Sequence, residues 1–198
     1  SDRTIESLEL WKQIYPRDPL PRNYLALMYQ TIGHLEEAVE EAREAIRLNP
    51  NYAPARRTLA AAFFGLNRFD EAKATIEEAF QQKLDSVFLR VYRYHIASVE
   101  GDAAAMRQQL EWLERHSSEH WVLRLQSRTA ASAGQLRQAQ RFSRQAVELA
   151  AQRHFKDLAA FFVAAEMVSE ASCGLCQQAR QTAAQALALS RAGFVITR

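Results

Sequence analysis

The chain has 198 residues, of which 48% are hydrophobic and 24% charged, and its 25 Lys and Arg side chains nearly balance 23 Asp and Glu. These values exclude bulk disorder and a collagen repeat, and two cysteines are too few to staple a domain of this size. The formal net charge of +2 gives no reason to expect a nucleic-acid partner, and the longest apolar runs, 59–66 and 158–165, fall far short of the roughly 18 residues that cross a bilayer.

Most of the chain has the composition and spacing of amphipathic helices. All five prolines lie at or before Pro54, and the remainder is rich in Ala, Leu, Gln, Glu and Arg, which favour helix over strand. Apolar residues recur at three- and four-residue spacing, as in Leu35, Ala38, Val39 and Ala42, and strict alternation never runs long enough for a strand. The sequence therefore predicts an all-α fold without direct membrane insertion.

A turn motif recurs five times along the chain, at a nearly constant period that lengthens only before the last copy. Glycine adopts the positive φ that ends a helix, and asparagine is the residue that best replaces it there. Each copy is therefore predicted to be a helix, a turn and a second helix, and stacked copies form an α-solenoid. The predicted turn residues are Gly33, Asn67, Gly101, Gly134 and Gly174.

The same period divides the chain into one leading helix and five helix pairs. Trp11 and Pro16 lie one period before Ala45 and Pro50, so we interpret residues 1–18 as the second helix of a truncated repeat. This interpretation predicts that the chain is part of a longer protein. The predicted repeats are residues 19–52, 53–86, 87–119, 120–152 and 153–198.

The first two predicted repeats resemble the tetratricopeptide repeat (TPR) family. Residues 19–52 carry the Leu25-Ala26 pair, Tyr29, Gly33, Ala38 and the closing Asn49-Pro50, and residues 53–86 carry Leu59-Ala60, Phe63, Ala72 and Ala79. The later repeats match less well, and none of them ends in proline. The resemblance implies a right-handed superhelix whose first helices line an inner surface, and a non-catalytic module that binds a protein or an extended peptide.

Residues 11–18 and 67–76 are also similar to the TPR regions of bacterial eukaryotic-like serine/threonine protein kinases. The chain itself has no glycine-rich phosphate loop, no His-Arg-Asp and no Asp-Phe-Gly, so we expect no enzyme activity from it. One alternative function is therefore the regulatory or substrate-selecting region of such a kinase. Another is an oligomerisation module, with weak self-association through exposed repeat ends. We expect the cytoplasm rather than the periplasm.

Two short motifs suggest metal or redox chemistry but have simpler interpretations. Residues 116–120 are His-Ser-Ser-Glu-His, a spacing that zinc ligands use, but no third ligand is evident. We interpret them as a helix start capped by Ser117 or Ser118. Residues 173–176 are Cys-Gly-Leu-Cys and straddle a helix–helix turn, where we expect small packed residues. The sequence therefore predicts no metal and no cofactor.

Arginines recur at one position of the predicted repeats. Arg22, Arg56, Arg90 and Arg124 share the period of the turns, and the second helices are richer in acids. On an inner surface these arginines would form a basic groove for an acidic partner segment, but they equally fit arginines that solvate exposed helix faces. The predicted groove consists of Arg22, Asn23, Leu27, Arg56, Arg57, Phe64, Arg90, Arg93, His95, Arg124 and Arg128.

Overall fold

The structure, a computed structural model, describes residues 2–189, and all the secondary structure in that range is helical. The all-α prediction is confirmed. No helix in this range is long and apolar enough to cross a membrane. In chain order the helices are α1 (Asp2–Ile14), α2 (Pro19–Ile32), α3 (Leu35–Leu48), α4 (Ala53–Gly65), α5 (Phe69–Gln81), α6 (Val87–Glu100), α7 (Ala103–His116), α8 (Glu119–Ser132), α9 (Leu136–Gln152), α10 (Lys156–Ser172) and α11 (Cys176–Leu189).

The chain forms two compact units, Ser1–Gln109 and Leu110–Arg198, which we call unit 1 and unit 2. Helices α1–α6 belong to unit 1, helices α8–α11 belong to unit 2, and α7 contains the boundary. The predicted division into five repeats depends on sequence spacing rather than on this boundary, and it stays a prediction.

Residues with positive φ end the first helix of each predicted pair. At the end of α2, Gly33 has a φ of 85°, and the amide of His34 donates to the carbonyl of Tyr29 at 2.9 Å. This bond satisfies a carbonyl that would otherwise lack a partner at the helix end. The five predicted turns are confirmed by positive φ at Gly33 (85°), Asn67 (58°), Gly101 (73°), Gly134 (73°) and Gly174 (78°).

Two further residues adopt the same left-handed conformation between helix pairs. Lys83 has a φ of 59° after α5, and His154 has a φ of 62° after α9. The next residue donates its amide back to the helix in both cases. The amide of Leu84 donates to the carbonyl of Ala79, and the amide of Phe155 donates to the carbonyl of Ala150, both at 2.9 Å. The sequence did not predict these turns, because residues other than glycine seldom adopt positive φ, even though histidine does so more often than most.

The core of unit 1 is built from alanines at the helix contacts. Ala26, Ala38, Ala60 and Ala72 are completely buried, as predicted for positions where helices approach to about 8–10 Å. Larger residues such as Ile76 fill the spaces between these contacts. Helices α2 to α5 pack in sequence, and α4 also contacts α2 and α6. The first helices of the predicted repeats therefore lie side by side in this unit.

Unit 2 uses the same construction with a smaller apolar cluster. Ala146, Ala150 and Ala159 are buried around Phe162, and Leu123 and other partly buried residues pack against them. Helices α8 and α9, α9 and α10, and α10 and α11 are in contact, and α8 also contacts α10. Small residues of α9, among them Ala139, Ser143 and Ala146, border an open space that α8 and α10 also line.

Candidate binding site

Arg56 is enclosed within unit 1 and is only 4% exposed. Its Nε and Nη2 donate to the carbonyl of Pro50 at 3.3 and 3.2 Å, and Nη2 also donates to Oε1 of Gln82 at 2.7 Å. Its Nη1 donates to Oε2 of Glu78 at 3.3 Å. These bonds tie the start of α4 to the end of α5. The guanidinium is thus occupied by the fold rather than presented to a partner.

Arg22 and Arg90 make equivalent contacts from the same helix position. Like Arg56, each is the fourth residue of its helix, and each bonds to the second helix of its pair. Nη1 of Arg22 donates to Oε2 of Glu41 at 3.0 Å, and Nη1 of Arg90 donates to Oε1 of Gln109 at 3.0 Å. In unit 1 the regular spacing of these arginines is therefore explained by contacts that they make within the protein.

The uncharged members of the predicted groove in unit 1 are at least half-buried. Asn23 is 2% exposed, and its Oδ1 accepts from the Thr58 hydroxyl at 2.9 Å. His95 is also buried, with its ring centroid 6.1 Å from that of Phe64. Leu27 and Phe64 are half-buried, and Phe64 packs against the core. Asn23 and His95 thus have little surface for a partner to contact.

Two other predicted arginines of unit 1 are half-buried. The guanidinium carbon of Arg57 lies 4.9 Å from the ring centroid of Phe88, which is largely exposed at the start of α6. Nε of Arg93 lies 3.4 Å from Oε1 of Glu77, while its Nη1 is buried and has no hydrogen-bond partner in the described part of the chain. Arg57 contacts an aromatic ring, which carries no formal charge, whereas the other predicted arginines of unit 1 contact carboxylates. The positive charge of Arg57 is therefore the least neutralised of this group.

Unit 2 contains a cavity of about 590 Å³, which we call the unit 2 cavity. Side chains from α8, α9, α10 and α11 line it, and most of them are alanines and other apolar residues. Its volume falls within the roughly 300–1,000 Å³ typical of ligand sites. Two predicted groove residues, Arg124 and Arg128, belong to its lining. The structure therefore brings these two together at a concave surface.

Arg124 is a partly desolvated cation in this cavity. Its guanidinium carbon lies 4.8 Å from the ring centroid of Phe161 and 5.8 Å from that of Phe162. Within residues 2–189 it has no ion pair with a carboxylate and no hydrogen bond. Burial lowers the pKa of Arg124, and the charge of Arg128 lowers it further. An anion placed here would relieve both penalties, since arginine stays charged in proteins.

Two carboxylates on α10 also line the unit 2 cavity. Oε2 of Glu166 accepts from the Ser143 hydroxyl at 2.7 Å, and Oε2 of Glu170 accepts from the Thr182 hydroxyl at 2.7 Å. Burial raises the pKa of Glu166; the hydrogen bond from Ser143 and the charge of Arg144 oppose that rise, and the charge of Glu170 adds to it. Sequence reasoning missed this pair, although a spacing of four positions places both on one helix face.

Exposed aromatic side chains lie beside the arginine end of the cavity. Trp121 is 44% exposed and Phe161 is 48% exposed, with ring centroids 6.3 Å apart. The Trp121 ring also meets Phe162 edge to face at 5.4 Å. Aromatic residues and arginine are the side chains most often responsible for binding energy at interfaces. The cavity thus combines an apolar floor, an aromatic rim and charges of both signs.

The histidine motif at 116–120 is divided between two helices. Nδ1 of His116 lies 2.8 Å from the carbonyl oxygen of Trp112, and its ring stacks on that indole with centroids 4.0 Å apart. His120 is buried on α8, and its Nδ1 has no hydrogen-bond partner among residues 2–189. Helix α8 begins at Glu119, but the predicted serine cap is wrong at Ser118, whose side chain makes no capping hydrogen bond. Within the described range no three His, Cys, Asp or Glu side chains are placed to hold a metal ion.

The two cysteines are free and exposed, so the prediction that they pack at the turn is wrong. Cys173 follows α10 and Cys176 begins α11, with Gly174 between them at a φ of 78°. The motif straddles a helix–helix turn as predicted. Both thiols are therefore at the surface of the turn rather than within the helix contacts.

Comparison with known proteins finds tetratricopeptide repeats in part of the chain. A family model described as tetratricopeptide repeat matches residues 33–89. The chain is 35% identical over 71 residues to the TPR repeat-containing thioredoxin TTL4 of Arabidopsis thaliana. This match covers 34% of the chain and only 10% of the length of that protein.

Solved structures show the same fold over most of the chain. YrrB, a TPR protein with an unusual peptide-binding site, matches at a TM-score of 0.56 and 15% identity, covering 96% of both chains. The type IV pilus biogenesis factor PilW matches at a TM-score of 0.63 and 21% identity, covering 92% of this chain and 83% of its own. A TPR protein from Parabacteroides merdae ATCC 43184 matches at a TM-score of 0.64 and 11% identity, covering 92% and 76%.

These findings define the molecule as an all-α helical-repeat protein. Residues 33–89 match the tetratricopeptide repeat family, as the sequence resemblance indicated, and solved TPR structures share the fold over most of the chain. TPR proteins act as protein-interaction scaffolds, and their fold is typically non-catalytic.

Proposed function

We propose that the chain is a non-catalytic module that binds an acidic segment of a partner protein or an extended peptide at the unit 2 cavity. The observation that carries this proposal is the environment of Arg124, which lies over two aromatic rings in a concave site with no carboxylate paired to it in the described range. In unit 1, by contrast, Arg22 and Arg56 already pair with glutamates of the same unit.

A carboxylate bound at Arg124 would gain more than it would at an exposed arginine. Charge-assisted hydrogen bonds to a guanidinium are short and often bidentate, and they strengthen where water is partly excluded. Arg128 lines the same cavity one helical turn away, so the positive potential extends along α8. The alanine-lined floor offers an apolar surface to a neighbouring side chain of the ligand.

In unit 1 we propose a secondary contact at Arg57 and Phe88. The arginine lies 4.9 Å from the exposed phenyl ring, and such a pair can meet an acid beside an apolar side chain. A peptide site on a similar fold is consistent with the proposal, since YrrB has one. The other predicted groove residues of unit 1 contribute by holding the helices in place.

Selection from a random dodecapeptide library against the full chain tests the proposed function. We expect the enriched peptides to contain Asp or Glu beside an aromatic or aliphatic residue, and their affinity to fall with salt. The Arg124→Gln/Arg128→Gln double variant should lose this enrichment. Arg137→Gln, an exposed substitution on α9, is the matched control and should keep it. A basic or uncharged consensus, or no enrichment, would overturn the proposal.

The identity of a larger parent protein stays a prediction. The resemblance of residues 11–18 and 67–76 to kinase TPR regions predicts a serine/threonine protein kinase domain encoded in the same gene. In that protein the unit 2 cavity would select substrates, and we propose a cytoplasmic location for it. Sequencing the gene on both sides of this segment checks the first point, and fractionation of the source cell checks the second.

A further inference from the structure

We infer that the segment bound in the unit 2 cavity carries a basic side chain as well as an acidic one, with a bulky apolar residue between them, and that Glu166 recognises the base. This inference rests on the proposed function, because it names the chemistry of the ligand at the same site. It adds a requirement that the arginines alone do not impose.

Side chains of opposite charge line the cavity from two helices, Arg124 from α8 and Glu166 from α10. The guanidinium of Arg124 lies over the rings of Phe161 and Phe162 on α10. Glu166 follows Phe162 by one turn of the same helix, about 6 Å along its axis. Both Arg124 and Glu166 line the cavity. A ligand that spans the cavity therefore meets a cation at one point and a carboxylate about one helical turn further on.

Glu166 has no cationic partner within residues 2–189, where no Lys or Arg side chain forms an ion pair with it. Its Oε2 accepts from Ser143, whereas a carboxylate offers about four acceptor positions. Arg144 and Glu170 act on it only through their charges, in opposite directions. A half-buried carboxylate in this situation is costly to the fold, and a ligand cation would offset that cost.

Glu170, the other carboxylate of the cavity, does not duplicate this role. It is 4% exposed and its Oε2 is hydrogen-bonded by Thr182 on α11. Its side chain thus joins α10 to α11, while Glu166 is the more accessible of the two. An apolar residue between the ligand charges matches the rest of the lining, which includes the Phe162 ring and alanines of α9 and α10.

A comparison of selected peptides on two proteins tests the inference. The random dodecapeptide library is selected in parallel on the full wild-type chain and on its Glu166→Gln variant, whose amide oxygen can still accept from Ser143. We expect wild-type peptides to combine an acid, an apolar residue and a Lys or Arg. The variant should select the acid and the apolar residue without the base. Glu148→Gln, an exposed substitution on α9, is the matched control and should select the same peptides as the wild type.

Affinities of the best wild-type peptide then separate recognition from a general effect on folding. Replacing its basic residue with norleucine should weaken binding to the wild-type chain about tenfold, as expected for loss of one charge-assisted bond. The same replacement should change binding to Glu166→Gln less than twofold. If the replacement weakens binding equally on both proteins, Glu166 does not recognise the base and the inference fails.

The outcomes distinguish this inference from the proposed function. Peptides that carry an acid but no base, and that depend on Arg124, would overturn the inference and leave the proposed function intact. Peptides that do not depend on Arg124, or an unenriched library, would overturn both. Only the combination of both charges with separate dependence on Arg124 and Glu166 supports the two together.

Discussion

Nη2 of Arg56 donates a 2.7 Å hydrogen bond to Oε1 of Gln82, the residue that follows α5. The sequence pattern placed Arg56 in a ligand groove, yet the side chain is buried and holds one helix of its pair to the other. A stacked repeat must rebuild the same helix contact in every copy. A polar residue can therefore recur at the repeat period for a purely structural reason.

Replacing Arg56 and Arg57, which are adjacent on α4, should show that only the first of them supports the fold. We expect Arg56→Leu to lower the free energy of unfolding by about 2–3 kcal/mol, because it leaves the Pro50 carbonyl and Gln82 without their donor. Arg57→Leu, at the half-buried neighbouring position, should change it by less than about 1 kcal/mol. Urea unfolding followed by circular dichroism measures both. Equal effects would show that Arg56 is not the structural residue of the pair.

Backbone conformation predicts opposite effects at two turns. Gly101→Val places a β-branched residue at a φ of 73° and should cost about 1–3 kcal/mol, although a Cβ there meets no atom within 4 Å. Lys83→Gly removes a side chain from a φ of 59° and should leave stability unchanged or raise it by up to about 1 kcal/mol. Thermal melting checks the pair. A stable Gly101→Val protein would mean that this turn rearranges freely.

Overpacking tests the close helix contacts of unit 1. Ala60 is completely buried among residues of α2 to α6, so Ala60→Phe should destabilise the protein by about 1–3 kcal/mol. Ala74→Phe on the exposed side of α5 adds the same side chain without a packing conflict and should cost less than about 0.5 kcal/mol. The difference in unfolding midpoint between the two variants is the measurement. Similar midpoints would contradict the alanine-mediated packing.

The fold was predictable because its signals are local and repeated. The positive φ of the turns favours residues such as Gly33 and Asn67, and the close helix contacts favour alanine. Both preferences recur at a regular spacing, so they can be recognised in the sequence. The candidate site was only partly predictable. Arg124 and Arg128 followed from the pattern of arginines in the first helices, whereas Glu166 depends on which turn of α10 faces the space beside α8 and α9. Sequence alone also could not show that Arg22 already pairs with Glu41.

Burial of His120 predicts a loss of stability on mild acidification. Burial lowers the pKa of His120 below its usual 6.5, and the charge of Arg153 adds to the effect while Glu119 opposes it. The folded state therefore binds fewer protons than the unfolded state, and stability falls as pH drops from about 7.5 through 6.5 toward the folded pKa. His120→Phe should weaken this dependence, while exposed His116→Gln should keep it. Chemical unfolding between pH 7.5 and 5.5 measures the slopes, and parallel slopes for the wild type and His120→Phe would contradict the assignment.

We expect the charge of Glu166 to lower the stability of the fold while it serves ligand binding. Because burial raises the pKa of Glu166 above its usual 4.5, the folded state binds the proton more tightly than the unfolded state. Its stabilising contribution is therefore present below about pH 4.5 and is lost as pH rises through the folded pKa, so ionised Glu166 destabilises the protein at neutral pH.

The Glu166→Gln variant should accordingly be more stable than the wild type at pH 7, and this advantage should vanish by about pH 4. The Gln side chain can still accept from Ser143, so the change isolates the charge. Paired unfolding curves at the two pH values measure it, with exposed Glu148→Gln as the control. A residue retained at a cost to the fold is typical of a functional site. A variant that is less stable at pH 7 would instead make Glu166 a structural residue and would remove the energetic reason for a bound cation.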